Sequence, residues 1–190
     1  MGTRSLILTC VALACAASAR ADLQFVPKVV DYELDGMKFK QLAFSDGTNK
    51  EMTYMPPTGW EYSGSAAKFT LYPSKRPQAR GTIFKVSLSQ PAAFDEETIK
   101  KLIQEALASV PQGSTNVIVV SQERNPLFID GKETFLVTIS YSFNSGNYEC
   151  SMMFLNRGNE QIRFQFVSSA ADFKDLQRAF LGSQCTWQNL

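Results

Sequence analysis

The chain has 190 residues, a formal net charge of +1 and a 44% share of hydrophobic residues. That length supports one domain with a sizeable core, and the near-neutral balance excludes the strongly basic surface that nucleic acid or an anionic membrane face requires. Histidine is absent, which removes Ser-His and Cys-His nucleophile pairs, histidine metal sites and the usual near-neutral general base.

Residues 1–21 have the three parts of a secretory signal peptide: a charged start at Arg4, an apolar run over 6–17, and small-residue cleavage sites at Ala17-Ser18-Ala19 or Ala19-Arg20-Ala21. The run is short for a bilayer span. The sequence therefore predicts export, a secreted or periplasmic chain starting near Arg20 or Asp22, no transmembrane segment after cleavage, and a single domain over 22–190. A lipoprotein reading would acylate Cys15, but Ala12 stands where a larger apolar residue is usual.

Val30, Tyr32 and Leu34 alternate up to Asp35-Gly36, a two-residue hairpin signal that sets Met37 and Phe39 opposite Leu34 and Tyr32. Ser45-Asp46-Gly47 makes a second turn, and the strand over 51–55 stops at Pro56-Pro57. Residues 58–65 read as a loop in which Trp60 is an edge-of-core anchor or, alternatively, a ligand platform. A strand follows over 68–72. Residues 73–81 have no apolar period and carry Lys75, Arg76 and Arg80, a basic loop that is either simply solvated or receives an acidic partner. After a strand over 82–89, Asp95 caps a helix whose apolar residues, from Ile99 through Leu102 and Ala106 to Val110, recur at helical spacing before Pro111. Strand-like residues 116–122 and a short run at 127–129 lead through Asp130-Gly131 into a meander.

In that meander, Phe135, Val137, Ile139, Tyr141 and Phe143 alternate with smaller or polar residues. A loop over 144–147 sets Ile139 opposite Met152 and Val137 opposite Phe154. A three-residue turn, Asn156-Arg157-Gly158, then sets Met152 opposite Ile162 and Cys150 opposite Phe164, giving one continuous apolar face. A one-residue slip would put Gln161, Arg163 and Gln165 on that face. The other face, with Leu136, Met153, Leu155 and Val167, is expected to be only partly covered. Ser169 and Asp172 form a capping-box-like start to a last helix, whose stripe of Phe173, Leu176, Ala179 and Phe180 ends at Gly182. Cys185 and Trp187 follow in a tail that folds back.

Cleavage leaves two cysteines in an oxidising compartment, so a Cys150–Cys185 disulfide is one expectation and two buried thiols the other. No Gly-rich phosphate loop, Cys-x-x-Cys or calcium loop occurs, and the acidic group Asp95-Glu96-Glu97 already has a structural role against the helix dipole. No catalytic residue, metal or cofactor is expected.

The entry Tyr54-Met55-Pro56-Pro57-Thr58-Gly59-Trp60 and the helix with Asp172-Phe173-Lys174-Asp175-Leu176 and Phe180-Leu181 resemble the PsbP-like α/β/α sandwich family over about residues 52–187. The resemblance implies an α+β fold, an antiparallel sheet with helices packed on its faces. It also implies a non-catalytic habit of docking on larger assemblies, as in extrinsic proteins of the oxygen-evolving complex, a Ran-binding regulator and many exported bacterial proteins. The photosynthetic branch's histidine ligands have no counterpart here.

The functional expectation is thus an exported binding or scaffold module for a protein partner at the cell envelope, with Trp60, Lys75, Arg76 and Arg80 as the first surface to consider. The alternative is a small enzyme or apolar-ligand carrier with a pocket between sheet and helix. An exposed aromatic patch would favour the first, and a deep cleft with convergent buried carboxylates the second.

Overall fold

The computed structural model describes residues 23–45, 47 and 51–189; the leader expectation for 1–21 lies outside them. Asp35-Gly36, both with positive φ, turns β1 (Lys28–Leu34) into β2 (Met37–Ser45) in the register expected from the alternation, Leu34 opposite Met37 and Tyr32 opposite Phe39. β2 then pairs with β3 (Glu51–Tyr54), completing a three-stranded antiparallel sheet.

A seven-stranded sheet contains the rest of the strands described: β4 (Trp60–Gly64), β5 (Lys68–Pro73), β6 (Arg80–Ser87), β7 (Thr115–Arg124), β8 (Thr134–Phe143), β9 (Gly146–Arg157) and β10 (Glu160–Ser169). Its order is β4-β5-β6-β10-β9-β8-β7, and every neighbouring pair is antiparallel. Residues 60–64, expected as loop, are a strand because pairing with β5 satisfies a backbone that their own pattern does not mark. α1 (Glu96–Ala108) lies on one face and α2 (Ala170–Gln184) on the other. Asp95 caps α1, its side chain accepting from the Thr98 N–H at 2.7 Å, and that bond holds the carboxyl below its ordinary pKa.

Two turns in the meander are tighter than the sequence reading. Asn144 and Ser145 both adopt positive φ, so Phe143 pairs with Gly146 across a two-residue turn, and Ile139 lies opposite Cys150 rather than Met152. That shift of two keeps the same side chains on the same face. The next turn is also two residues, closed by Arg157 opposite Glu160, whose side chains pair at 3.1 Å, with Gly158 at φ 60°. Met153 therefore faces Phe164 and Leu155 faces Ile162, a shift of three that turns β10 over.

The sheet is consequently buried on both faces. Toward α1 lie Phe135, Val137, Ile139, Met152 and Phe154, packed against Leu102 and Ala106. Gln161, Arg163 and Gln165 share this face and are satisfied there: Arg163 reaches Glu105 of α1 at 2.5 Å and stacks over Phe154, while Gln165 donates to Ser109 at 3.3 Å. Toward α2 lie Leu136, Met153, Leu155, Ile162, Phe164 and Phe166, so the face expected to be partly covered forms the larger core. α2 covers β9 and β10, and the small sheet completes this layer beside it through Phe44 and Tyr54 against Phe69.

α2 runs past Gly182 to Gln184, and Ser169 bonds the Asp172 carboxylate instead of a backbone N–H. Beyond it, Trp187 inserts between the layers, stacked on Tyr54 and Phe44 with ring centroids 4.7 and 5.3 Å away. The tail also pairs with β3 through Thr53 and Gln188.

The disulfide expectation is corrected here. Cys150 is buried toward α1, within reach of Gln165, whereas Cys185 is exposed at the end of α2 on the opposite side, and both are free. The sheet lies between them, so the structure does not bring the two thiols together. Alkylation of the non-reduced, denatured protein is expected to modify both thiols. In the native protein Cys185 should react first, since burial pushes the Cys150 thiol up and hides it; a denatured protein with no alkylatable thiol would contradict this placement.

Candidate interaction surface

The four surface residues expected to act together are split by the fold. Trp60 is half-buried against Phe166 and Phe180, centroids 5.9 and 6.4 Å away, as an edge-of-core anchor would be. Lys75 sits on an exposed turn at φ 61°. Arg76 is turned back onto the start of α2, its Nε 3.1 Å from Asp172. Arg80 belongs to β6 and lines an open depression on the α1-facing side with Tyr72, Thr82 and Gln165. Alternation along one strand places Arg80 and Gly81 on opposite faces, and the Gly81 Cα abuts Phe180 on the α2 side.

Three other features bear on function. The first is a groove of about 700 Å3 between α2 and the β7–β8 side of the sheet, with Leu136, Thr138, Phe173 and Leu181 inside and Glu149, Lys174 and Arg178 among its charged groups. Burial raises the Glu149 carboxyl above its ordinary pKa. The groove is open, and no cluster of three metal-ligating side chains occurs among the described residues.

The second is the β1–β2 hairpin. Its polar face pairs Asp31 with Lys40 and Glu33 with Lys38, opposite charges across the ladder. Its other face carries Val30, Tyr32, Leu34, Met37 and Phe39, and toward the tip these remain in solvent: Leu34 is 49% exposed, Met37 59% and Phe39 40%. At the other end of the hairpin the core takes Leu42 and Phe44, which alternation places on the face of Lys38 and Lys40 and not on that of the strip.

The third feature joins this strip to the body. A groove of about 680 Å3 runs from Phe39 past Met55, Pro56 and Pro57 to Trp60 and the Ala179 turn of α2. Trp60 is thus the one expected surface residue that borders the apolar strip. The strip's alternation is plain in the sequence; its exposure is not, because identical alternation in β8 is buried.

No family model matches the sequence, and no curated protein matches it. Among solved structures, the chain is similar to the cyanobacterial PsbP of Synechocystis sp. PCC 6803, with 10% identity, TM-score 0.52, and coverage of 92% of this chain and 96% of that one. It also aligns with a Pseudomonas aeruginosa protein of unknown function, PA94, at 12% identity, TM-score 0.47 and 83% and 94% coverage. LpqN of Mycobacterium tuberculosis, involved in cell envelope biogenesis, aligns at 11% identity, TM-score 0.45 and 72% and 82% coverage. The likeness to cyanobacterial PsbP, together with a central antiparallel sheet flanked by α1 and α2, gives this chain the PsbP-like α/β/α sandwich fold.

Proposed function

We propose that the protein is an exported, non-catalytic binding or scaffold module that engages a protein partner at the cell envelope, using the projecting β1–β2 hairpin and the groove at its base. The observation that carries this reading is the apolar strip of Leu34, Met37 and Phe39 held in solvent, since a monomer gains nothing by exposing large side chains in one row. The leader-like residues 1–21 support export. No described helix is long and apolar enough to cross a membrane.

Affinity capture from the organism's own envelope extract tests the reading. Leu34→Ser combined with Met37→Ser is expected to abolish partner recovery while leaving the thermal midpoint nearly unchanged, because surface changes away from packed features cost within about 0.5 kcal/mol. Lys75→Ala, Arg76→Ala and Arg80→Ala together should weaken capture less, since these residues do not share one surface. Undiminished capture by the Leu34/Met37 variant would exclude the hairpin. The second reading, a small-ligand carrier or enzyme, is favoured by the α2 groove with the raised Glu149 carboxyl. Turnover lost on Glu149→Gln would replace the binding reading with it.

A further inference from the structure

Sheet edges attract strands, and proteins usually blunt them with short length, bulges, charge or cover. Of the four edges that the described strands leave, three are blunted. β3 is paired by the tail, Thr53 and Gln188 exchanging backbone bonds of 3.2 and 3.1 Å. β7 has two register irregularities along its pairing with β8. β4 has five residues and ends at Gly64, where Phe25 and Pro27 cross it. β1 differs: seven residues in unbroken register with β2, and no strand beyond it among the described residues.

The outer edge of β1 is also chemically specific. With the hairpin closed at Leu34 opposite Met37, the alternation of an antiparallel ladder spends the backbone groups of Val30, Tyr32 and Leu34 on β2, and those of Val29, Asp31 and Glu33 point outward. A strand laid there would meet Val30, Tyr32 and Leu34 on one face and the carboxylates of Asp31 and Glu33 on the other. A second copy of β1 fits badly: pairing Val30 with Tyr32 sets Asp31 against Asp31, pairing Tyr32 with Tyr32 sets Asp31 against Glu33, and pairing Val30 with Val30 sets Asp31 against Val29 and gives neither carboxylate a basic partner. Like charges directly opposite destabilise a ladder.

We propose that β1 is a strand-addition site for an extended segment of a partner protein in which apolar residues alternate with lysine or arginine. The partner's main chain takes up the outward groups of Val29, Asp31 and Glu33, its basic residues face Asp31 and Glu33, and its apolar residues extend the strip of Tyr32 and Leu34. This rests on the binding-module reading above and names the partner chemistry for it.

The test uses the purified protein and a fluorescent peptide matching the seven residues of β1 in length, alternating valine with lysine. By anisotropy this peptide should bind at least about tenfold tighter than its valine–glutamate counterpart, from two facing charge pairs changed in sign. Asp31→Lys with Glu33→Lys should reverse the preference. Should the two introduced lysines repel Lys40 and Lys38 across the ladder enough to fray that hairpin, Asp31→Thr with Glu33→Thr keeps strand propensity and should bring the two peptides to parity. N-methylation of the peptide along its pairing edge should abolish binding. Binding that survives N-methylation, or a lysine preference that survives the threonine variant, overturns strand addition. A concentration-dependent dimer that the peptide disrupts would assign the edge to a second copy and overturn the partner assignment. Envelope capture lost in the Leu34/Met37 serine variant but intact in the threonine variant would overturn the edge pairing while leaving the binding-module reading standing.

Discussion

Phe164→Ala is expected to destabilise the protein by about 3–5 kcal/mol and Ile139→Ala by about 2–5 kcal/mol, whereas Thr138→Ala should cost much less. Phe164 and Ile139 are both buried, but on opposite faces of the sheet, in the α2 and α1 layers respectively. Thr138 is also buried, yet it loses only a methyl and a hydroxyl beside an open groove that can admit water. Denaturant midpoints at constant slope give the values. Because the two large residues share no core cluster, the milder pair Phe164→Leu and Ile139→Val should add within about 0.5 kcal/mol. Strong non-additivity would mean that they share a face, as the register expected from sequence had them.

Trp187→Ala is the second large effect, about 3–5 kcal/mol, because it removes the ring that packs on Phe44 and Tyr54 of the small sheet and on Phe164 of β10. A buried polar chain holds that ring: its Nε1 donates to Gln184 at 2.9 Å, and Gln184 Nε2 donates to the Phe180 carbonyl at 2.9 Å and to Ser183 Oγ at 3.1 Å. Ser183 Oγ lies 2.8 Å from the Tyr54 hydroxyl. Trp187→Phe should recover most of the packing but leave the Gln184 oxygen without its indole donor, a residual cost of about 1–3 kcal/mol.

The same chain makes stability fall in alkali. Burial raises the Tyr54 phenol far above its ordinary value, against the smaller lowering by its bonds to Ser183 and Gln184. The folded protein therefore keeps a proton that the unfolded chain gives up. The contribution is intact below about pH 10 and is lost as pH rises from there through the folded-state value. Tyr54→Phe should flatten this limb in unfolding experiments across about pH 9–12. Some fall remains, because burial also raises Tyr141, to about 12, and Cys150. An alkaline limb unchanged in Tyr54→Phe would contradict a buried, neutral phenol.

Much of the candidate surface was legible as pattern and illegible as environment. The alternation of Tyr32, Leu34, Met37 and Phe39 announces the β1–β2 hairpin and its register, since a two-residue Asp-Gly turn admits one pairing. It does not say that the hairpin tip outruns the core. Trp60 was readable as a core anchor from its type, and its place at the end of the hairpin groove came only from the meeting of residues distant in sequence. The basic set Lys75, Arg76 and Arg80 looked like one loop because no apolar period separates them, yet β6 begins at Arg80 and Asp172, far along the chain, takes Arg76.

By itself the sequence determined the α+β class, α1 with its Asp95 cap, the period of each meander strand and the closing helix, all set by interactions within a few residues. Tertiary structure decided which face of β10 meets which layer. Two turn geometries differ by one residue, and because side chains alternate with period two, that one residue reverses a strand. Here the polar face of β10 is stable inside because Glu105 of α1 and Ser109, the residue that caps that helix, are there to satisfy it. Tertiary structure also decided the fate of the cysteines. Spacing allows Cys150 and Cys185 to meet, and the sheet between them does not. The exposed edge of β1 is of the same kind: a strand shows its pattern locally, but whether another strand lies beside it depends on residues far away in the chain.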